Sequence, residues 1–324
     1  MINIIKYVIP VILTLILSCD NEIKTIELTF ENIGFEGYSI EALDVGIMDD
    51  IIVATKNDCT FYTSFLHKTT DNGISWDTIA QTPGSIKNIS TNSLGYIFTT
   101  GLNGLRFNLN IWQFVFLSIS YEIFIDNDDN VYVTTASGLM FSNNDGDSWI
   151  EIGGELPYSG SSKNCKIITD IYNNVYIGYG EINSTNYGVF KLDSVWVFDG
   201  LNDYSIQSLI ADKEGSVYAL TRSGDIFEKN NPNSDWEVIY HIPINNADNI
   251  VIDADNNLCV TNYNSVFVCK DDEGECFRIL KMNSMYNHIK QIDVTRMGEL
   301  LIGTMDGLLL SPIPIKDILK ENEL

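Results

Sequence analysis

The side chains able to carry chemistry are few and scattered. Four arginines (Arg106, Arg222, Arg278, Arg296) could clamp an anionic group and three histidines (His67, His241, His288) could move protons, but each stands in a different sequence context. There is no nucleophile elbow, no paired metal-ligand spacing and no phosphate-cradling loop. The acidic run from Asp126 to Asn130 has the oxygens to hold Ca2+ weakly, yet it lacks a spaced ligand set and reads as a solvated turn. Carboxylate pairs that cleave glycosidic bonds meet only in space, so linear spacing neither finds nor rejects them. The densest polar stretch is Lys68 to Ile79, KTTDNGISWDTI, in which Asp71, Gly73 and Trp76 crowd together between two apolar runs. It is either a catalytic loop or a folding device, and the elements around it decide which.

The chain has 324 residues, 45% of them hydrophobic and 19% charged, with a formal net charge of −25. That composition supports a packed core, and that charge repels phosphate backbones, so nucleic acid is excluded as a partner. The N-terminus has a lysine at Lys6 and then an apolar run from Tyr7 to Leu17. The run is too short for a spanning helix, which needs about 20 residues, and has the length of a signal-peptide core. It ends in Ile16-Leu17-Ser18-Cys19. This resembles the lipobox of bacterial lipoproteins, which implies acylation at Cys19, export and a lipid-anchored place on the outer membrane or cell surface. Leu17 is bulkier than the usual residue there. An ordinary cleaved signal and an uncleaved anchor are the alternatives. Five cysteines remain (Cys59, Cys165, Cys259, Cys269, Cys276) at spacings that suit neither a disulfide framework nor zinc. Cys269 and Cys276 flank an expected hairpin turn and are either bridged or free.

The elements that must position these groups follow from an internal repeat. Segments beginning at Ile89, Ile123, Leu209, Ile250 and Ile292 share one plan of apolar strand, polar turn, apolar strand, second turn and third strand. Their turn-opening residues are Asn92, Asp126, Asp212, Asp253 and Thr295, and twelve residues later each opens the third strand with Gly104, Gly138, Gly224, Ser265 or Gly307. A copy with Asp170 and Gly188 carries six extra residues, and a worn copy precedes them near Asp49 and Asp50. From Asn92 onward the turn positions lie 34, 44, 42, 41 and 42 residues apart, and Trp76, Trp112, Trp149, Trp196, Trp236 and Phe277 close successive repeats. A period near 42 residues accommodates four short strands, the content of one propeller blade. The expected fold is all-β: a seven-bladed β-propeller of four-stranded antiparallel blades, closed by an N-terminal strand. The last repeat lacks a fourth strand after Pro312, and Thr25–Phe30 (TIELTF) is expected to supply it. The domain plan is a signal peptide over 1–18, a tether and closing strand over 19–37, the propeller over 38–312 and a C-terminal tail over 313–324. The tail is expected to form a short surface helix or to fray.

Within this frame Thr69, Asp71, Gly73, Ser75 and Trp76 match the Asp-box, or BNR, pattern Ser/Thr-x-Asp-x-Gly-x-Ser/Thr-Trp. Ser142, Asn144, Gly146, Ser148 and Trp149 match it with Asn in the Asp place. KDDEGECF at 270–277 is a degraded copy. The chain therefore resembles Asp-box propellers, among them sialidases and photosystem-assembly proteins. Its repeats also resemble the sensory propellers of two-component regulators. The resemblance implies a structural turn between third and fourth strands, away from the ligand face. A short acid caps such a turn, Gly takes positive φ and the indole packs between sheets. It also raises the possibility of a divergent sialidase-like glycoside hydrolase. Those enzymes hold a carboxylate with three arginines and use a tyrosine nucleophile backed by a glutamate. The four arginines here occupy unlike blade positions, and the Arg-Ile-Pro motif is absent.

The sequence therefore reads as a non-enzymatic binding module without cofactor or metal, and as a monomer. Its partner is expected to be a glycan, a peptide or an envelope protein, with membrane contact through the lipid anchor alone. Loops joining second to third strands and links between blades share one rim. The insertion at 178–188 and the long link at 153–164 rise on it, making Glu155, Tyr158, Glu181, Tyr187 and Arg222 the candidate binding surface.

Overall fold

In the computed structural model the described residues are 24–46, 48–56, 63–82, 84–101, 104–108, 111–116, 119–156, 165–180, 188–270, 275–282 and 288–320. Their strands pair into seven four-stranded antiparallel sheets. Blade 1 runs Ser39–Val45, Ile51–Lys56, Phe65–Thr69, Asp77–Gln81, and blade 2 runs Ile86–Thr91, Ile97–Gly101, Gly104–Asn108, Ile111–Phe116. Blade 3 runs Ser120–Ile125, Val131–Thr135, Leu139–Ser142, Ile150–Ile152, and blade 4 runs Cys165–Thr169, Val175–Tyr179, Gly188–Leu192, Trp196–Gly200. Blade 5 runs Ile206–Ala211, Val217–Thr221, Asp225–Lys229, Glu237–His241, and blade 6 runs Ala247–Ile252, Leu258–Asn262, Ser265–Cys269, Cys276–Lys281. Blade 7 takes Ile289–Val294, Leu300–Thr304 and Gly307–Leu310 from the C-terminal end and its outer strand, Glu31–Gly34, from the other end. The first strand of each blade contacts the first strands of the blades on either side, and Ile289–Val294 contacts Ser39–Val45, so the inner strands close on themselves around an axis.

Each second strand is almost wholly buried and begins with an apolar run, such as Ile51–Ala54, Val175–Ile177 and Leu300–Ile302. Strands sandwiched on both faces read that way. Core clusters form between blades: Leu301 and Leu308 of blade 7, for example, pack with Ile40, Ile51 and Val53 of blade 1.

Two expectations about the chain ends are corrected. Thr25–Phe30 does not provide the closing strand. Thr25 bridges Arg278 in parallel, and Ile26 is buried with Leu28 and Phe30 packed beside it against the edge of blade 6. The apolar alternation was real, but it fits a groove beside the sixth sheet. Glu31–Gly34, polar enough to lie outermost, pairs with Gly307–Leu310 instead. The C-terminal tail does form a short helix, Ile315–Lys320, but rather than resting on the surface or fraying it buries Ile315, Ile318 and Leu319 in the cluster that holds Ile26.

Candidate functional site

The two faces of the ring are set by local chain chemistry. On one, the turn face, each first strand enters a turn whose opening side chain caps it. Asp212 Oδ1 accepts from the amides of Glu214, Gly215 and Ser216 at 2.9, 2.7 and 2.8 Å, and its Oδ2 from the Tyr218 hydroxyl at 3.0 Å. Asp126, Asp170 and Asp253 repeat the arrangement, each accepting the amides two and four residues on. The acidic turn from Asp126 thus directs its first carboxylate at its own backbone. Among the described residues no group of three or more His, Cys, Asp or Glu side chains is placed to hold a metal.

The stretch at 69–76 lies on the same face. Asp71 Oδ1 accepts from Thr69 Oγ1 at 2.7 Å and the Ser75 amide at 2.9 Å, while Oδ2 accepts from Ser75 Oγ at 2.6 Å. Hydrogen bonds from Ser75 and Thr69 hold the Asp71 carboxyl down at about 2. Thr69 Oγ1 in turn accepts the Gly73 amide, and the Trp76 indole donates to Ile33 O of the closing strand at 2.9 Å. Gly73 has φ +84°, and a Cβ there would sit 2.8 Å from Ile33 Cδ1, so only glycine fits. At 142–149 the same set recurs: Ser142 Oγ to Asn144 Oδ1, Gly146 N to Ser142 Oγ, and Ser148 N to Asn144 Oδ1 at 3.0 Å. Both polar sets are saturated by their own turn, and each glycine is pressed on the preceding blade.

On the other face, the rim, second-to-third-strand turns bond to the links between blades, as in Ala247 N to Arg222 O, Ile289 N to Tyr263 O and Gly307 N to Tyr38 O. Of the expected binding residues, Tyr158, Glu181 and Tyr187 lie outside the described residues, as do Cys19 and Cys59. Glu155 is exposed on the link from blade 3 to blade 4. Arg222, on blade 5, is held by Asn246 Oδ1, which accepts from its Nε and Nη2 at 3.0 and 2.6 Å. Blade 4 stands between these two residues.

The first strands carry a polar belt that the sequence reading missed. Four residues before each turn opener stand Asn88, Glu122, Lys166, Ser208, Asn249 and Gln291, toward the rim end of the axial opening. Asn88 Nδ2 donates to Glu122 Oε2 at 2.9 Å, and Lys166 Nζ to Glu122 Oε1 at 3.2 Å. Gln291 Nε2 of blade 7 reaches Asn88 Oδ1 of blade 2 at 3.5 Å, past Ala42 of blade 1, and Lys290 Nζ donates to Glu41 Oε1 at 3.2 Å. Burial acts to lower the Lys166 ammonium, but Glu122 and Asp248 outweigh it and its pKa is raised. Glu122 is raised by burial, against the pull of Lys166. Below this belt a cavity of about 390 Å3 is bounded by Glu122, Phe124, Lys166, Ile168, Ser208 and Ile210.

Two residues before the turn opener, the column reads Asp44, Ser90, Phe124, Ile168, Ile210, Val251 and Asp293, so the acids fall on the adjoining blades 1 and 7. Burial and then the charge of Asp293 push the Asp44 carboxyl up to about 7, and burial takes Asp293 to about 6. Asp293 Oδ2 accepts the Val45 amide at 3.0 Å, while Asp44 Oδ2 is buried without a hydrogen-bond partner. Higher on the rim, Tyr263, 51% exposed, stacks on His288 with centroids 3.9 Å apart. Aligning the repeats and reading the columns between turn openers would have exposed the belt, because that column is polar in six blades and breaks only at Ala42 of blade 1.

Other groups with chemical potential are engaged elsewhere. Arg106 is buried against Asp147 at 2.7 Å and bonds Gln113; Arg278 donates to Thr25 Oγ1; Arg296 lies on the turn face beside Asp49. His67 sits between the hydroxyls of Thr55 and Thr78, and burial lowers it to about 4; His241 pairs with Asp225 at 2.5 Å. The described arginines therefore occupy four separate places.

No protein-family model matches the chain, and no curated protein matches it. Solved structures do. Virginiamycin B lyase from Staphylococcus aureus superposes with a TM-score of 0.69 over 88% of this chain and 98% of its own, at 12% identity. The extracellular domain of the putative hybrid two component system BT3049 from B. thetaiotaomicron gives 0.68 over 92% of this chain at 14% identity, and the match spans 43% of that longer chain. YCF48 from Cyanidioschyzon merolae gives 0.64 over 87% and 98% at 12% identity. Likeness at these identities is likeness of fold: the chain is an all-β propeller with four-stranded antiparallel blades.

Proposed function

We propose that this chain is an exported, non-enzymatic lipoprotein of the bacterial envelope, a monomeric seven-bladed propeller whose rim binds a glycan, peptide or protein partner. The carrying observation is the contrast between the saturated polar groups of the turn face and the partly exposed belt of Glu41, Asn88, Glu122, Lys166 and Lys290 under Tyr263. Donors and acceptors fixed in place beside a stacking aromatic suit a polyhydroxylated or amide-bearing chain. Glu155 and Arg222 stand on the same rim, and Tyr158, Glu181 and Tyr187, outside the described residues, are proposed from the sequence as members of the binding surface. The turns at 69–76 and 142–149 act as Asp-boxes with a folding role.

Export is supported by the disulfide between Cys269 and Cys276, a bond suited to an oxidising compartment, together with the signal-like N-terminus and the lipobox-like stretch that ends at Cys19. Among the described residues no helix is long and apolar enough to cross a membrane. Among proteins of this fold, one YCF48 structure has a bound D1 peptide and PorZ is a bacterial surface component of a secretion system, while virginiamycin B lyase is an enzyme.

A glycan array and a peptide array, read with the parent chain and with Lys166→Met, test the proposal. Binding that the substitution abolishes supports it. Turnover of a sialoside or polysaccharide, lost in Glu122→Gln, would replace it with a hydrolase reading.

A further inference from the structure

The turn face is not uniform around the ring. Two residues beyond the turn openers, blades 7, 1 and 2 present Met297, Met48 and Leu94, which are 65%, 75% and 62% exposed. Blade 1 adds Ile74, 87% exposed at the tip of its third-to-fourth-strand turn. At the equivalent positions Asp128, Glu214 and Asp255 replace Met48 in blades 3, 5 and 6, Asp147 replaces Ile74 in blade 3, and blade 4 carries Tyr172, 57% exposed. Tyr172 of blade 4, across the ring, leans on Gly215. The apolar tips of blades 7 and 1 sit together because the turns that carry them are tied to each other, and Leu94 stands on the adjoining blade 2. Arg296 N donates to Asp49 Oδ1 at 3.1 Å and Asn72 Nδ2 to Glu299 Oε2 at 3.0 Å, joining blade 7 to both turns of blade 1.

The chain also enters the fold on this face. Lys24 pairs with Glu275 at 2.7 Å, and Glu275 stands just before the outer strand of blade 6, on the third-to-fourth-strand side. The C-terminal helix docks there too, with Ile315 N bonded to Gly298 O and Lys316 near Asp255. Lys24 follows Cys19 by five positions. A chain of that length spans at most about 17 Å. A lipid on Cys19 therefore keeps the turn face, next to the apolar sector, close to the bilayer.

The geometry points to the turn face of blades 7, 1 and 2 as a lipid-contacting surface that lays the propeller on the membrane bearing its anchor, with the rim directed away. This rests on the reading of Cys19 as acylated. Four exposed apolar tips provide the second attachment that a lipid anchor needs to hold orientation, while the acidic sector stays hydrated and tilts the disc.

The test uses the full chain purified from bacterial membranes and reconstituted in phosphatidylethanolamine–phosphatidylglycerol vesicles. An environment-sensitive thiol dye is placed at Met48→Cys, Ile74→Cys or Glu155→Cys, with the parent chain as blank. The expected result is a blue-shifted emission at positions 48 and 74 and none at 155. An acylated Cys19 by mass spectrometry with unshifted dyes at 48 and 74, or a shift at 155 alone, overturns the orientation and leaves the lipoprotein reading standing. An unmodified Cys19 overturns both.

Discussion

On the turn face, Asp126, Asp170, Asp212 and Asp253 direct their carboxylates at the amides of their own turns; on the rim side, Glu122, Lys166, Lys290 and Gln291 reach across to other blades. The first set repeats with the blade period and can do nothing but fold. The second varies from blade to blade, AsnGluLysSerAsnGln in sequence order, and has surface left over. In a repeat protein the residues that obey the period stabilise the unit, and those that break it are available for partners.

The contrast breaks most visibly at a capping acid. Asp212→Ala should lose about 3 kcal/mol, because three amides and a buried tyrosine hydroxyl lose their acceptor. Urea unfolding measures it, and a loss no greater than that of Glu122→Gln would erase the distinction between the faces.

A smaller effect is expected from the staple. Cys269 and Cys276 join the third and fourth strands of blade 6, beside the edge that receives Ile26. Replacing Cys276 with Ser should cost about 2 kcal/mol for so short a loop. Thermal unfolding with and without reductant should show the parent chain falling to the level of the variant.

The acid pair at the junction of blades 1 and 7 sharpens the comparison further, since it breaks the period and opposes folding. Asp44 titrates at 3.8 ordinarily and at about 7 in the fold, so the folded chain keeps a proton the unfolded chain has lost. Stability from this residue is complete below 3.8 and falls as pH rises toward 7; Asp293 adds to the fall up to about 6. Asp44→Asn should therefore gain about 1–2 kcal/mol at pH 8, a gain that vanishes in acid. Equal effects at both ends of the pH range would mean the carboxyl is not the cause. The smallest effect on stability belongs to the rim: Tyr263→Ala should shift unfolding by less than about 0.5 kcal/mol. The same change should remove array binding, and retained binding would move the contact elsewhere.

Much of the architecture was legible because turn chemistry and apolar alternation recur with the blade. The openers Asn92 through Thr295 are the caps, and Trp76, Trp112 and Trp236 donate to the outer strand of the preceding blade. The chain ends were misread where a local pattern fits two neighbours: TIELTF alternates like a strand, but alternation does not say which edge receives it. The helix Ile315–Lys320 is too short for its periodicity to reveal a buried stripe. The polar belt escaped for another reason. Its members lie about 40 residues apart and meet only when the first strands surround one axis.

Glu31–Gly34 pairs with residues nearly 280 positions away. During synthesis that strand is made before its mate, which arrives only after every other blade has been made. A nascent chain halted before Gly307 would hold six finished sheets with nothing to fasten the first to the last. Folding of this chain should therefore be sensitive to whatever shields an early β-edge until the far end arrives.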